Sequence, residues 1–324
     1  MHDRPLNVPE STMGTGRGRR AGHEETTSRT LGARVRDVRV RGWLFVAPAV
    51  TAYAVFVLWP LIQTFKYSLY SWDGIAPARW VGLDNFKTVF TDPDLISVLE
   101  HAFELILFFS AIPVVLGLVV ATVMQRIASR RISATARTVL FLPQIVPLVA
   151  AGIAWSWVLS STGVVNQVLK AVGLGSVTRA WLGDFGTALP AVGVIGAWVL
   201  LGLCTVLLLA GMAKIDPTLY EAAQLDGAGP VREFLSITLP SLRQEIGVCV
   251  TVTVIAALSA FDIVYIATHG GPGNQTMVPG LEIYQLAFFN REVGLASALA
   301  VVLMLLVLVC ILPIQWYTRR GADT

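Results

Sequence analysis

Charge is scarce in this chain. Charged residues make up 14% of its 324 residues and hydrophobic residues 55%, whereas roughly a quarter of the residues in a soluble domain are charged. The mean hydropathy is +0.67. These values exclude an ordinary water-soluble globular protein and favour one that lies in a lipid bilayer.

Residues that carry chemistry are also few. Three cysteines (Cys204, Cys249 and Cys310) lie singly in different apolar runs, without a spacing that would chelate a metal or build a disulfide framework. The four histidines are scattered, and no G-x-x-x-x-G-K-[ST] phosphate loop is present. We therefore expect no catalytic residues, no metal site and no bound cofactor. If ATP powers this protein, another subunit must bind it.

Long apolar runs are abundant instead. Six are near the 20 residues that a helix needs to cross a bilayer, and their glycines and prolines predict kinked, mutually packed helices. The sequence therefore predicts an all-α polytopic membrane protein with six transmembrane helices, at Trp43–Phe65, Ala102–Met124, Thr138–Ser160, Ala188–Met212, Ile246–Thr268 and Leu295–Tyr317.

The basic residues between these runs predict the orientation. Alternate segments, beginning with the N-terminal tail, carry 18 Lys and Arg, and the intervening segments carry six. Because basic loops stay on the cytoplasmic side, both termini are expected in the cytoplasm. Residues 1–42 form an Arg- and Gly-rich tail that is expected to be disordered, and residues 43–324 the membrane domain. The tail could contact nucleic acid or anionic lipid; we interpret it as a topology-setting, lipid-contacting segment and expect no nucleic-acid partner.

A polar loop, residues 213–243, is predicted on the cytoplasmic side. Asp216 followed by Pro217 is a good helix start, and Gly227 follows the segment PTLYEAAQLD, where a left-handed residue commonly ends a helix. A second helix, PVREFLSIT, is predicted after Gly229. The first helix is shorter than the 12–15 residues at which isolated helices become marginally stable. It should therefore dock on a partner, although an amphipathic helix lying on lipid is the alternative.

The same loop carries a family pattern. E-A-A, three residues, G, nine residues and I-x-L-P is filled by Glu221, Ala222, Ala223, Gly227, Ile237, Leu239 and Pro240. This resembles the EAA loop of permease subunits in binding-protein-dependent ABC importers. The stretches VGLDNFKTVF and FDIVYIATHGGPGNQT further resemble the carbohydrate (maltose-type) branch of that family.

The resemblance implies a type I ABC importer permease fold in the bacterial cytoplasmic membrane. It implies four kinds of partner: a second homologous permease, two ATP-binding subunits, an extracytoplasmic solute-binding protein and a sugar or oligosaccharide. The seven pattern residues would form the ATPase-coupling site, with Gly227 as its turn and Pro240 as a rigid junction with the fifth span.

A sugar path would need aromatic rings and a few polar groups. Trp198 lies where maltose-type permeases carry a sugar-stacking aromatic, with ordinary helix packing as its alternative. On the fifth span the candidates are Thr253, Ser259, Asp262 and Tyr265. An intramembrane carboxylate is a functional candidate, but for Asp262 we favour a structural hydrogen bond near the outer membrane boundary. Alanines (Ala256, Ala257 and Ala260) stand where the maltose transporter presents asparagines, a departure from the family pattern.

Three other functions share some of these features. An ion-coupled secondary transporter would need paired ionisable residues inside the membrane, and only Glu104 and Asp262 are candidates. A membrane scaffold that recruits a partner through the loop, without transport, is another. A permease for a non-sugar solute such as glycerol phosphate shares the same motifs.

Overall fold

The computed structural model describes residues 45–125 and 130–319. The predicted tail, 1–42, and the first two residues of the first predicted span, Trp43 and Leu44, lie outside these ranges. The chain divides into two units after Ile62. Helix α1, Phe45–Tyr67, contains the described part of the first unit and enters the second, which holds every element described below.

A short hairpin follows α1, with β1 (Tyr70–Ser71) antiparallel to β2 (Arg79–Trp80). The Asn85 side chain donates hydrogen bonds to the carbonyls of Ser68 and Tyr70, which fixes the hairpin to the next helix. Helices follow throughout the rest of the described chain: α2 (Asp84–Thr91), α3 (Pro93–Gln125), α4 (Arg130–Ile145), α5 (Leu148–Val158), α6 (Val164–Ala171), α7 (Ala188–Met212), α8 (Pro217–Leu225), α9 (Pro230–Ser241), α10 (Arg243–Leu258), α11 (Asp262–Ala267), α12 (Pro279–Phe288) and α13 (Val293–Arg319).

The predicted helical membrane fold is confirmed. Among the described residues, four helices are long and apolar enough to cross a bilayer: α1, α3, α7 and α13. The count rises to six if each of two bent helix pairs forms one span. Helix α7 has the bounds predicted for the fourth span.

The third predicted span, Thr138–Ser160, is not one helix. Helix α4 ends at Ile145, and α5 leaves it at an angle of 98°. Pro147 causes the break, because proline has no N–H to donate and disfavours helical conformation in the residue before it. The break lies at a proline, in agreement with the predicted kinks, and it divides the predicted span into two helices.

The fifth predicted span, Ile246–Thr268, is also divided. Helix α10 ends at Leu258, and the short helix α11 begins at Asp262. The three residues between them, 259–261, include Phe261 with φ −141° and ψ −61°, outside the helical region. At its other end α10 meets α9 at an angle of 69°.

Helix α7 lies at the centre of the packing. Its buried residues include Ile195, Cys204 and Leu208, each 0% exposed. Gly202 lies so close to the Leu140 carbonyl of α4 that a Cβ there would overlap it. Small residues at such crossings let two helices approach closely, which is how helices associate in lipid.

Candidate functional site: coupling loop and central cavity

The coupling helix α8 begins as predicted. The Asp216 carboxylate accepts a hydrogen bond from the Thr218 backbone N–H at 2.9 Å, and Pro217 occupies the first turn. This hydrogen bond lowers the pKa of Asp216 below its ordinary value. The cap therefore acts above that lowered pKa and is lost as the pH falls through it.

Gly227 ends α8 in the left-handed conformation, with φ +76°. The Ala228 N–H bonds to the Ala223 carbonyl at 2.9 Å, and the Gly227 N–H bonds to the Gln224 carbonyl at 3.0 Å. These two bonds form a Schellman motif, which satisfies carbonyls at the helix end. The predicted left-handed conformation of Gly227 at the end of this helix is confirmed.

Helix α8 is held on the rest of the loop through one face. The Tyr220 hydroxyl lies 2.9 Å from the Thr238 hydroxyl of α9. A cavity of about 370 Å³ lies beside this contact, lined by Tyr220, Gln224, Glu233 and, from the end of α3, Gln125 among others. Tyr220 on α8 therefore contacts its own chain.

The other face of α8 is open. Glu221 and Ala222 are exposed and Ala223 is half-buried, while Leu225 is 90% exposed. Leu219 on α8 and Val231 and Leu235 on α9 are exposed as well. Large apolar side chains grouped on a polar loop are typical of an interaction surface.

The remaining pattern residues lie on α9. Ile237 and Leu239 are half-buried and Pro240 is exposed. The second helix continues to Ser241, three residues beyond its predicted end, and the bend toward α10 follows Pro240 by two residues. Pro240 therefore lies in the last turn of α9, and not at the bend between α9 and α10 where the rigid junction was expected.

A second candidate site is a central cavity of about 540 Å³. Both breaks in the predicted spans lie on its wall, with residues 144–148 around the break between α4 and α5 and residues 259–263 around the break between α10 and α11. Helix α3 contributes Phe109, and α7 contributes Gly196 and Leu203 among others. Irregular backbone at membrane depth is tolerated where it lines a cavity, and broken helices in transporters commonly mark solute sites.

The cavity wall is mostly aliphatic, with three polar side chains. The Ser259 hydroxyl donates to the Ile255 carbonyl at 2.6 Å, and the Gln144 Oε1 is buried without a hydrogen-bond partner in the described chain. Asp262 is exposed to the cavity. No Lys, Arg or His is among the described residues of the wall.

The structure brings together two of the five predicted path residues, Ser259 and Asp262. Tyr265 stacks on Phe261, a wall residue, with ring centroids 5.3 Å apart. Thr253 is 0% exposed and bonds to the Ser110 hydroxyl at 2.7 Å, outside the wall. Trp198 makes an edge contact with Trp155 at 5.5 Å and is not a wall residue either.

Sequence reasoning missed three wall residues: Phe109, Gln144 and Phe261. A usable signal existed for Gln144, because the segment LPQIVP places this amide between two prolines inside an apolar run. Two prolines four residues apart disrupt a helix. A polar side chain between two such prolines therefore predicts a helix break whose residues line a cavity.

A helical membrane protein with broken helices around a cavity has an architecture that is common among transporters. Residues 114–320 match the family described as "Binding-protein-dependent transport system inner membrane component". The chain belongs to this family, which favours a permease subunit over an ion-coupled secondary transporter.

Relatives cover most of the chain. It is 33% identical to the lactose transport system permease protein LacF of Rhizobium radiobacter, over 91% of this chain and 98% of LacF. It is 33% identical to the diacetylchitobiose uptake permease NgcF of Streptomyces coelicolor, over 82% of this chain and 78% of NgcF. The probable ABC transporter permease YurN of Bacillus subtilis is 32% identical, with 89% and 99% covered.

The fold resembles a solved one. A bacterial ABC transporter that imports the acidic polysaccharide alginate contains a chain with a TM-score of 0.75 and 24% identity, covering 89% of this chain and 99% of that one. This likeness places the present chain in the same fold of ABC importer permeases.

Proposed function

We propose that this chain is one permease subunit of an ATP-driven importer of neutral sugars or oligosaccharides in the bacterial cytoplasmic membrane. A second homologous permease would complete the path, two ATP-binding subunits would dock on the coupling loops, and an extracytoplasmic binding protein would deliver the solute. The observation that carries the proposal is the cavity at the two broken spans, in a chain of this family.

The cavity wall supports a neutral solute. Gln144 offers an amide oxygen without a hydrogen-bond partner among the described residues, and Ser259 offers a hydroxyl, while Phe109 and Phe261 offer aromatic rings. A mostly apolar wall with aromatic rings and a few polar groups is typical of pockets that bind small neutral molecules such as sugars. The cavity volume of about 540 Å³ also lies within the range of small-molecule sites. The one charged wall residue, Asp262, disfavours an anionic solute such as glycerol phosphate.

The test is uptake by the purified complex in proteoliposomes, with labelled lactose or diacetylchitobiose as probes. We expect uptake that requires ATP on the cytoplasmic side and the binding protein outside. Gln144→Leu should lower it by about tenfold, on the scale of one lost buried hydrogen bond to a sugar. The control is Gln167→Leu, since Gln167 is exposed on α6 and bonds only to the Thr162 carbonyl. Uptake driven by an ion gradient without ATP would refute the proposal.

The coupling role has its own test. The exposed face of α8 supports docking in an ATPase cleft, and Ala222 is exposed on that face. We expect Ala222→Cys to form a crosslink with a cysteine placed in the cleft of the co-purified ATPase. An active complex that gives no crosslink at Ala222 or at the exposed neighbours Glu221 and Leu225 would refute this placement.

A further inference from the structure

A groove of about 680 Å³ lies between the start of α10 and the end of α13, apart from the central cavity. Its wall is largely aliphatic, with Leu239, Ile246, Val250, Pro313 and Ile314 among its residues. Pro240 of the coupling loop is also on the wall. The groove therefore joins the ends of two membrane helices to the segment that carries the family pattern.

Arg243 contributes a positive charge to the wall of this largely aliphatic groove. The Arg243 guanidinium lies 3.9 Å from the centre of the Tyr317 ring, and its Nη2 donates to the Tyr317 carbonyl at 2.8 Å. Its Nε is buried and has no acceptor in the described chain. Arginine has five N–H donors, so the groove supplies fewer acceptors than this side chain can use.

The charge of Arg243 is not neutralised by the nearest carboxylate on its helix. Glu245 instead pairs with Lys214, with the two charged atoms 2.9 Å apart. Trp316 and Tyr317, on the last turns of α13, are 57% and 61% exposed. Aromatic residues of this kind mark the boundary between the bilayer core and water, so the guanidinium lies at headgroup depth with an aliphatic groove beside it.

We propose that this groove binds one anionic phospholipid of the cytoplasmic leaflet. The lipid phosphate would accept hydrogen bonds from Arg243, and an acyl chain would lie along Ile246, Val250 and Pro313. A guanidinium is the group of choice for phosphate recognition. A cation that has no carboxylate partner among the described residues, beside an apolar groove, fits a ligand with one negative head and one apolar tail. The inference rests on the membrane location and orientation, not on the identity of the solute.

The bound lipid would act on the coupling loop. Leu239 and Pro240 lie on the groove wall immediately before the 69° bend between α9 and α10. A lipid held there would brace that bend from the membrane side. We therefore expect anionic lipid to favour a productive position of the coupling helix as well as to bind.

The test is lipid retention by the purified complex in nanodiscs that contain equal amounts of phosphatidylglycerol and phosphatidylcholine, measured by native mass spectrometry. The wild type should retain phosphatidylglycerol preferentially. Arg243→Gln should reduce that preference about fivefold, as expected for the loss of one basic residue near an anionic surface. The matched control is Lys214→Gln, which removes a cation that is 74% exposed and already paired.

A second variant keeps the proposal testable if Arg243→Gln does not fold, as judged by its melting temperature in phosphatidylcholine. Val250→Trp fills the groove and leaves Arg243 in place, and it should also abolish the preference. Glycerol phosphate in solution should not substitute for the lipid in stabilising the wild type. Unchanged retention in both variants would overturn the proposal, as would a crosslink showing that a partner protein fills the groove.

Because retention is measured without any solute, its failure is distinguishable from failure of the proposed transport function. A complex that imports sugar but shows no lipid preference would refute only the lipid site. A complex that retains phosphatidylglycerol but imports no sugar would refute only the transport proposal.

Discussion

Gly227 adopts φ +76°, a conformation that costs a residue with a Cβ roughly 1 kcal/mol or more. No atom lies within 4 Å of the position of a Cβ at Gly227, so the cost of a substitution there comes from the backbone and not from a clash. The membrane helices do not depend on this turn. We therefore expect Gly227→Val to insert at near-normal abundance but to lose ATPase association and solute uptake together.

Gly229 provides a matched control two residues away. It also has open space around it, but its φ is −79°, which any residue can adopt. Gly229→Ala should retain most ATPase association and uptake. The measurements are membrane abundance, co-purified ATPase and uptake for both variants. Full uptake by Gly227→Val with its ATPase bound would show that the turn is not required.

Glu282 on α12 gives a prediction of pH dependence. Burial raises the pKa of its carboxyl, and the carboxylates of Asp94, Asp92 and Glu292 raise it further. The folded protein therefore holds this proton more tightly than the unfolded chain, so stability falls as the pH rises from the unfolded pKa through the folded one. Glu282→Gln, which keeps the neutral form, should raise the melting temperature at pH 7 by on the order of 1–3 °C.

The gain should vanish at pH values below the ordinary carboxyl pKa, where Glu282 is protonated in both states. Glu100→Gln is the control, because Glu100 is an exposed carboxylate on α3 and should give little change at either pH. The measurement is a melting curve of each variant at both pH values. A gain that persists at low pH would assign the effect of Glu282→Gln to packing rather than to charge.

At the scale of the helices, the sequence predicts long runs better than breaks. Helix α7 has its predicted bounds because nothing in Ala188–Met212 interrupts an apolar run except Pro190, which stands in the first turn, where proline is tolerated. The bounds of α8 were also predictable, since Asp216 and Gly227 are local signals that act through their own backbone. Such features need no knowledge of the tertiary structure.

The divided spans show what local signals leave out. Pro143 lies within α4, which continues past it to Ile145, whereas α4 and α5 are separated at Pro147. A proline in the sequence therefore does not by itself show whether a helix continues or ends there. No proline stands between α10 and α11 at all, and the residues of that break line the cavity. The wall residues Phe109 and Phe261 were missed for this reason, because their role follows from two breaks meeting in space.

For the whole molecule, the helices alone do not fix which side faces the cytoplasm. The orientation proposed here rests on the asymmetry of 18 basic residues against six, since basic loops are retained on the cytoplasmic side. The coupling loop, the lipid groove and the direction of import all depend on it. With an even number of spans both termini share one side, so a single inverted segment would disrupt the whole arrangement.

Reporter fusions test this orientation directly. A reporter active only in the cytoplasm should work after Arg131, Arg243 or Arg320, and it should fail after Lys87, Gly175 or Gln275. The fusions are most informative for the third span, where α4 and α5 meet at 98°. They distinguish one bent span from a re-entrant pair that enters and leaves the membrane on the same side. If the pair were re-entrant, Arg131 and Gly175 would lie on the same side and their fusions would report alike. Opposite signals at Arg131 and Gly175 require that the bent pair crosses the membrane, whereas a cytoplasmic signal after Gln275 would contradict the six-span arrangement itself.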